Sequence, residues 1–345
     1  MNPAAAPAPG PAAPPRGRLA PSPTGALHLG NARSFLLAWL SVRSRGGTLV
    51  LRIEDLDHPK VKPGAAGQAI EDLRWLGLDW DEGPDAGGAH GPYVQSLRRD
   101  RYRAALAALR AKGLAYPCVC SRRDVEEAQS APHGRDPHSL AYPGRCRGRF
   151  ATWEEAAAAL PPDRSPVWRF RAAPGVSAFD DLVLGRRELD LARELGDFAL
   201  ARDPDGAGYQ LACVVDDAAM GVTEVLRGDD LVDATHCQLA LQAALGLPRP
   251  AYAHVPLVVA EDGRRLAKRH GDTRLRALRE AGVPAERVVG LLAWWSGLAP
   301  FGAELRPADL LPGFSLARLP RGPAVLDARV RALLGVPEPA PAAPR

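Results

Sequence analysis

Apolar residues first gather in a short run at 17–21, cross a Pro/Gly-rich turn, and resume from Ala32 to Leu40. A short apolar stretch followed by one of helical length predicts a strand, a tight turn and a helix from about Asn31 to Arg45. A second run at 48–54 completes a strand, helix, strand unit. Helical spacing returns near 64–76 and 96–112, and in the latter Ala105, Leu106 and Leu109 share one face opposite Arg and Lys. A Gly/Pro-rich break at 83–92 separates these two helices. From 113 to about 149 His, Pro, Gly and Arg replace aliphatic residues, as expected of an insertion held together by something other than an apolar core. Strands are predicted again at 167–170, 179–184 and 222–226, followed by a helix at 233–245, a strand at 252–259, and two helices over 271–296 broken at Pro284. Strands alternating with helices give an α/β fold with a doubly wound, Rossmann-like parallel sheet. Such sheets bind ligands beyond the carboxyl ends of their strands, at a switch point.

The first turn, Arg18-Leu19-Ala20-Pro21-Ser22-Pro23-Thr24-Gly25-Ala26-Leu27-His28-Leu29-Gly30-Asn31, carries the most chemistry. Unpaired amides and the dipole at a helix start favour an anion. His28 adds a side-chain donor, and Gly30 lets a ligand approach the backbone. Alone, a His-x-Gly pair fits an ordinary tight loop just as well, so the blocks that follow decide.

This stretch resembles the ATP-binding signature of class I aminoacyl-tRNA synthetases, in the version carried by the glutamyl and glutaminyl branch. The resemblance continues in order through Leu51-Arg52-Ile53-Glu54-Asp55-Leu56-Asp57, Leu76-Gly77-Leu78-Asp79-Trp80-Asp81-Glu82-Gly83-Pro84, Gln95-Ser96, Tyr209-Gln210-Leu211-Ala212 and Arg227-Gly228-Asp229-Asp230. It covers roughly residues 16 to 300. Within the branch, the short chain and the Cys118-x-Cys120, Tyr142, Cys146 pattern most resemble the glutamyl-Q tRNA(Asp) synthetases, which attach glutamate to the queuosine base of that tRNA.

The resemblance implies a division at 16–112 and 166–270 into two halves of the catalytic domain, a zinc-binding insertion at 113–165 and a helical part at 271–335. Composition adds Pro/Ala-rich tails at 1–15 and 336–345, too poor in apolar bulk to pack. Over 345 residues, 46% hydrophobic and 24% charged positions give the balance of a globular protein, and a net charge of +4 does not by itself require a nucleic-acid partner. The N-terminal tail lacks the apolar h-region of a signal peptide, and no run reaches the roughly 18 apolar residues of a membrane span. A cytoplasmic protein is therefore expected. Basic residues cluster at Arg145, Arg147 and Arg149, and again from Arg264 to Arg279; such clusters suit phosphates or simply a solvated helix face.

Activating an amino acid means aligning its carboxylate with the α-phosphate of ATP and neutralising the pyrophosphate that leaves. No enzyme nucleophile is needed, and none is evident. The resemblance assigns ATP, with Mg2+, to Thr24, His28, Gly30, Asn31 and Lys268, of which His28 and Lys268 are catalytic. Lys268 lies in Arg265-Leu266-Ala267-Lys268-Arg269, a degenerate copy of the family's Lys-Met-Ser-Lys-Ser signature. L-glutamate is assigned to Arg18, Leu19, Ala20, Pro21, Ser22, Glu54, Tyr209 and Arg227. Guanidiniums bind carboxylates bidentately and a fixed anion suits the ammonium, although Arg18 and Glu54 read alone fit a structural ion pair. Zn2+, one per chain, is assigned to Cys118, Cys120, Tyr142 and Cys146; His133 and His138 in the long spacer compete with Tyr142, since imidazole is the commoner ligand. Cys213 and Cys237, in apolar sequence, are expected in the core, as are Trp75, Trp80, Trp168, Trp294 and Trp295.

Too little chain follows Lys268 for an added anticodon-binding domain of about 100 residues. The expected enzyme thus activates glutamate and transfers it to queuosine in tRNA(Asp), and the resemblance implies a monomer. A truncated glutamyl-tRNA synthetase charging a 3′ end, a small-molecule nucleotidyltransferase and a silent RNA-binding paralogue are the alternatives.

Overall fold

The computed structural model describes residues 13–56, 60–121, 124, 141–142, 144–264, 266 and 273–336. Most of both tails lies outside these, as do His133, His138, Arg265, Ala267, Lys268 and Arg269. The strands are β1 Arg16–Leu19, β2 Thr48–Leu51, β3 Ala115–Cys118, β4 Val167–Phe170, β5 Val176–Asp181, β6 Gly185–Asp190, β7 Ala199–Ala201, β8 Glu224–Gly228, β9 Ala251–Val255, β10 Val258–Ala260 and β11 Ala324–Leu326. The helices are α1 Leu29–Arg43, α2 Ala65–Trp75, α3 Arg99–Ala111, α4 Trp153–Ala158, α5 Leu191–Glu194, α6 Tyr209–Ala219, α7 Val232–Leu245, α8 Leu275–Glu280, α9 Ala285–Trp295 and α10 Ala328–Leu334. No described helix is long and apolar enough to cross a membrane.

β1 and β2 pair in parallel from Arg16↔Thr48 to Leu19↔Leu51, with α1 as the crossover. On the other side of β1 the chain enters β8: Thr223 N donates to Arg16 O at 2.8 Å, and Arg16 N donates to Thr223 Oγ1 at 2.8 Å. β8 pairs in parallel with β9 from Glu224↔Ala251 to Gly228↔Val255, and β9 meets β5 at Tyr252↔Asp181. The chain thus leaves β1 in one direction for β2 and later returns on its opposite side. That reversal opens a crevice beyond the strand ends, as doubly wound sheets require. A separate antiparallel sheet, β3-β4-β7, carries the insertion.

Two predicted elements change. The strand expected at 179–184 ends at Asp181, because Asp181 Oδ1 accepts from Val183 N at 3.0 Å and Leu184 N at 2.8 Å and turns the chain into β6. The strand expected at 252–259 divides at Pro256, which has no N–H for a ladder, into β9 and β10. α6 was not anticipated, since buried Asp216 and Asp217 interrupt its apolar pattern.

α1 packs in the largest core cluster with β1, β2 and α9. Arg33, 1% exposed, ties it down by donating to Ser296 Oγ at 3.1 Å, Pro256 O at 2.5 Å and Trp295 O at 3.4 Å. Trp168 and Trp295 are buried, while Trp75, Trp80 and Trp294 are half-buried against the same core.

Candidate active site

His28 caps α1 in extended backbone geometry. Its Nδ1 accepts from Gly30 N at 3.1 Å, while Asn31 Oδ1 accepts from His28 N at 3.2 Å. An acceptor at Nδ1 places the proton of a neutral ring on Nε2. Leu29 N donates to Thr273 O at 3.1 Å, and the Asn31 amide also donates to the His28 side chain. The first-turn amides, expected to cradle phosphate, are therefore engaged within the protein. A Cβ at Gly30 would lie 3.0 Å from His28 Cε1, so the glycine also leaves room for the imidazole.

A cavity of about 530 Å³ opens beyond the ends of β1, β2, β8 and β9. It brings together Arg18, Ala20, Ser22, Glu54, Tyr209 and Arg227 with His28, Gly30 and Asn31. Leu266, two residues before Lys268, lines it too. Thr24 lies instead on a second cavity of about 530 Å³, which meets the first at Ser22, Glu54 and Tyr209 and extends past Lys60, Arg202 and Gln210. Leu19 and Pro21 line neither; their carbonyls accept from Arg52 N at 2.9 Å and Glu54 N at 3.0 Å, which sets the strand-end geometry. Lys268 lies outside the described residues.

The charged groups are braced from behind. Fully buried Arg52 donates to Glu54 Oε1 at 2.9 Å and Asp217 Oδ1 at 2.7 Å. Arg18 donates to Leu226 O at 3.1 Å, and its Nε lies 3.8 Å from Asp217 Oδ1 without a hydrogen-bond partner among the described residues. Arg227 donates from Nε to His254 Nε2 at 3.1 Å, from Nη2 to Thr235 Oγ1 at 2.7 Å and Leu231 O at 3.3 Å, and from Nη1 to Tyr209 Oη at 3.4 Å. Among the described residues four of its five N–H groups are thus used, leaving one on Nη1 for a ligand. The paired fork expected of Arg227 is already occupied along its other edge.

In the insertion, Cys118, Cys120 and Cys146 bring their sulfurs within 4.8 Å of one another, a group that could hold a metal ion. Cys120 and Cys146 sulfurs are 3.7 Å apart, and Tyr142 Oη lies 3.2 Å from Cys118 Sγ and 3.4 Å from Cys120 Sγ. A tetrahedral zinc with Zn–S near 2.3 Å and Zn–O near 2.0 Å has S···S and S···O edges of about 3.8 and about 3.5 Å, so the four donors fit such an ion. The hydrogen bond from Cys120 pulls the Cys118 thiol below its ordinary pKa, against the effect of burial. The competing His133 and His138 are outside the described residues.

A family model described as tRNA synthetases class I (E and Q), catalytic domain, matches residues 16–299. The chain belongs to this family. It is 52% identical over 318 residues to a protein of Symbiobacterium thermophilum named glutamyl-Q tRNA(Asp) synthetase, covering 92% of this chain and 98% of that one. A protein of the same name from Nitratidesulfovibrio vulgaris is 49% identical over 315 residues, covering 91% and 96%. A solved glutamate-tRNA synthetase of Elizabethkingia anophelis superposes with a TM-score of 0.75 at 26% identity, and covers 92% of this chain but 69% of its own. The protein is thus a class I tRNA synthetase, an ATP-using ligase on the expected parallel α/β scaffold.

Several residues around the site of this synthetase escaped the sequence reading. Arg52 stood inside a quoted motif without a role; its place two residues before Glu54, a spacing that puts both side chains on one face of an extended segment, was the available signal. Asp217, Asp181 and His254 gave none, because each lies far in sequence from its partner. Cys213 is not in apolar surroundings: its Sγ donates to Glu54 Oε1 at 3.6 Å, and burial pushes its thiol pKa up. Cys237 does pack in an apolar cluster, with Leu189 and Leu191.

Proposed function

We propose that the chain activates L-glutamate with ATP as glutamyl-adenylate and passes the glutamyl group to the queuosine base of tRNA(Asp). The observation that carries this reading is the single cavity in which Arg18, Glu54, Tyr209 and Arg227 meet His28, Gly30 and Asn31. Arg18 and Arg227 answer the two carboxylates of glutamate, and Glu54 answers its ammonium. In this reading His28 Nε2–H donates to ATP phosphate, and Lys268 and Mg2+ supply positive charge on the leaving side.

A glutamate carboxylate oxygen attacks the α-phosphorus in line, the bond to the bridging oxygen breaks, and pyrophosphate leaves. An acceptor hydroxyl then attacks the acyl carbon, AMP departs with the bonding pair, and the hydroxyl proton passes to solvent. The second cavity, sharing Glu54 and Tyr209, offers room for that acceptor. The names of the Symbiobacterium and Nitratidesulfovibrio relatives support queuosine as its identity. Zinc on Cys118, Cys120, Cys146 and Tyr142 would supply a structural cross-link in the insertion, and no reacting group.

Two measurements test this function. Glutamate-dependent exchange of labelled pyrophosphate into ATP is expected. Labelled glutamate should be transferred to queuosine-containing tRNA(Asp), with or without its 3′-terminal adenosine, and not to the same tRNA lacking queuosine. Absence of exchange refutes activation, and transfer that depends on the terminal adenosine points instead to 3′-end charging.

A further inference from the structure

Asp181, His254 and Arg227 form a row across three neighbouring strands, β5, β9 and β8, with Arg227 and His254 as direct Cα partners. Asp181 and His254 have fully buried side chains, and Arg227 is 6% exposed. Asp181 Oδ2 lies 2.6 Å from His254 Nδ1, while Asp181 Oδ1 accepts from the amides of Val183, Leu184 and His254. A carboxylate so surrounded by donors acts only as an acceptor, so Nδ1 of His254 carries a proton. The other nitrogen, Nε2, faces Arg227 Nε–H at 3.1 Å and Thr235 Oγ1 at 3.1 Å. Because a guanidinium can only donate, Nε2 must accept, and the imidazole is neutral in one fixed tautomer.

We propose that His254 is a positioning residue for the amino-acid substrate: it holds the Nε edge of Arg227 so that the remaining Nη1–H meets a substrate carboxylate beside Tyr209. This rests on reading Arg227 as part of the glutamate site. Thr235 completes the clamp by accepting from Nη2, so rotation of the guanidinium breaks two hydrogen bonds at once.

The clamp depends on pH in a stated direction. The charged and titratable groups acting on His254 are Asp181 from β5, Arg227 from β8, Arg18 from β1, Asp229 after β8 and His236 from α7. Burial lowers the His254 pKa, Asp181 opposes this, and Arg227 and Arg18 lower it further, leaving it below the ordinary value. Protonation at acid pH turns Nε2 into a donor facing another donor. Affinity for the amino acid should therefore fall as pH drops below the ordinary histidine range.

The experiment compares wild type, His254→Phe and His254→Gln by glutamate-dependent pyrophosphate exchange across pH, with thermal unfolding to confirm the folded state. In His254→Phe, loss of a hydrogen bond to a charged group should raise KM for glutamate about tenfold or more, leaving KM for ATP within about twofold. Gln, whose amide oxygen can take the place of Nε2 but does not titrate, should recover most of that loss and remove the extra acid-side rise in KM. An unchanged KM for glutamate in folded His254→Phe overturns the proposal, as does an acid-side rise retained in His254→Gln. Should the Phe variant fail to fold, imidazole 15N shifts of the wild type decide: the neutral Nδ1–H form is expected, and the Nε2–H form or an imidazolium at pH 7 refutes it. A wild type with no glutamate-dependent exchange would instead remove the reading of Arg227 on which the proposal stands.

Discussion

The imidazole of His28 folds back over its own helix until Nδ1 lies 3.1 Å from the amide of Gly30. Gly30→Ala would set a Cβ 3.0 Å from the ring, so the imidazole must shift by a few tenths of an ångström. Alanine is also the better helix former, by about 0.5–1 kcal/mol. Gly30→Ala should therefore keep or raise the melting temperature while cutting pyrophosphate exchange by about tenfold or more through the displaced donor. Parallel unfolding and exchange assays check this dissociation; a loss of both together would mean a packing role.

Lys268→Ala tests the cation proposed to act with His28. If the lysine acts on charge that develops as pyrophosphate leaves, exchange should slow by about 10²- to 10³-fold with little change in KM for glutamate. Steady-state exchange kinetics report both quantities.

Arg52→Met leaves two buried carboxylates, Glu54 and Asp217, without their shared counter-charge. Removing one partner of such a buried pair costs about 3–5 kcal/mol, which urea unfolding should register. Glu54 also loses the donor that orients it, so KM for glutamate should rise in whatever fraction remains folded.

Metal analysis of the purified protein should return one zinc per chain. Cys146→Ser should abolish retention through dialysis, and Tyr142→Phe should speed loss of metal to a chelator. Retention unaltered in Tyr142→Phe would assign the fourth position to another group. His133→Ala and His138→Ala are the comparisons that would find it.

Glu82 supplies a pH signature of stability. Burial raises its pKa, but hydrogen bonds from Tyr93, Arg16 and His90 outweigh this and bring it from 4.5 to about 2. A depressed carboxylate stabilises the fold above the unfolded value, near 4.5, and that contribution disappears as pH falls toward 2. Arg16→Met removes a 2.7 Å ion pair with Glu82. The stability gap between wild type and variant should be widest above pH 4.5 and narrow toward pH 2, as a urea series would show.

Much of the scaffold could be read from the chain because its signals are local. The β1, α1, β2 unit follows from one apolar run on either side of a Pro/Gly turn, and α7, α8 and α9 from helical spacing. The cavity residues were legible only as ordered blocks, since nothing near Arg227 says that Arg18 lies close by. Buried ions defeated the reading most. Asp216 and Asp217 disguised α6, and the row through Asp181 and His254 joins positions 73 residues apart. The engaged amides of α1 were equally hidden, because Thr273, which satisfies Leu29 N, lies far along the chain from α1.

Asp181 serves two masters with two oxygens: Oδ1 turns the corner from β5 into β6, and Oδ2 steadies His254. Anyone retuning amino-acid preference through this aspartate would unpick the sheet's rim in the same stroke. His254 and Thr235 are the finer dials, since each touches the guanidinium and neither forms that corner.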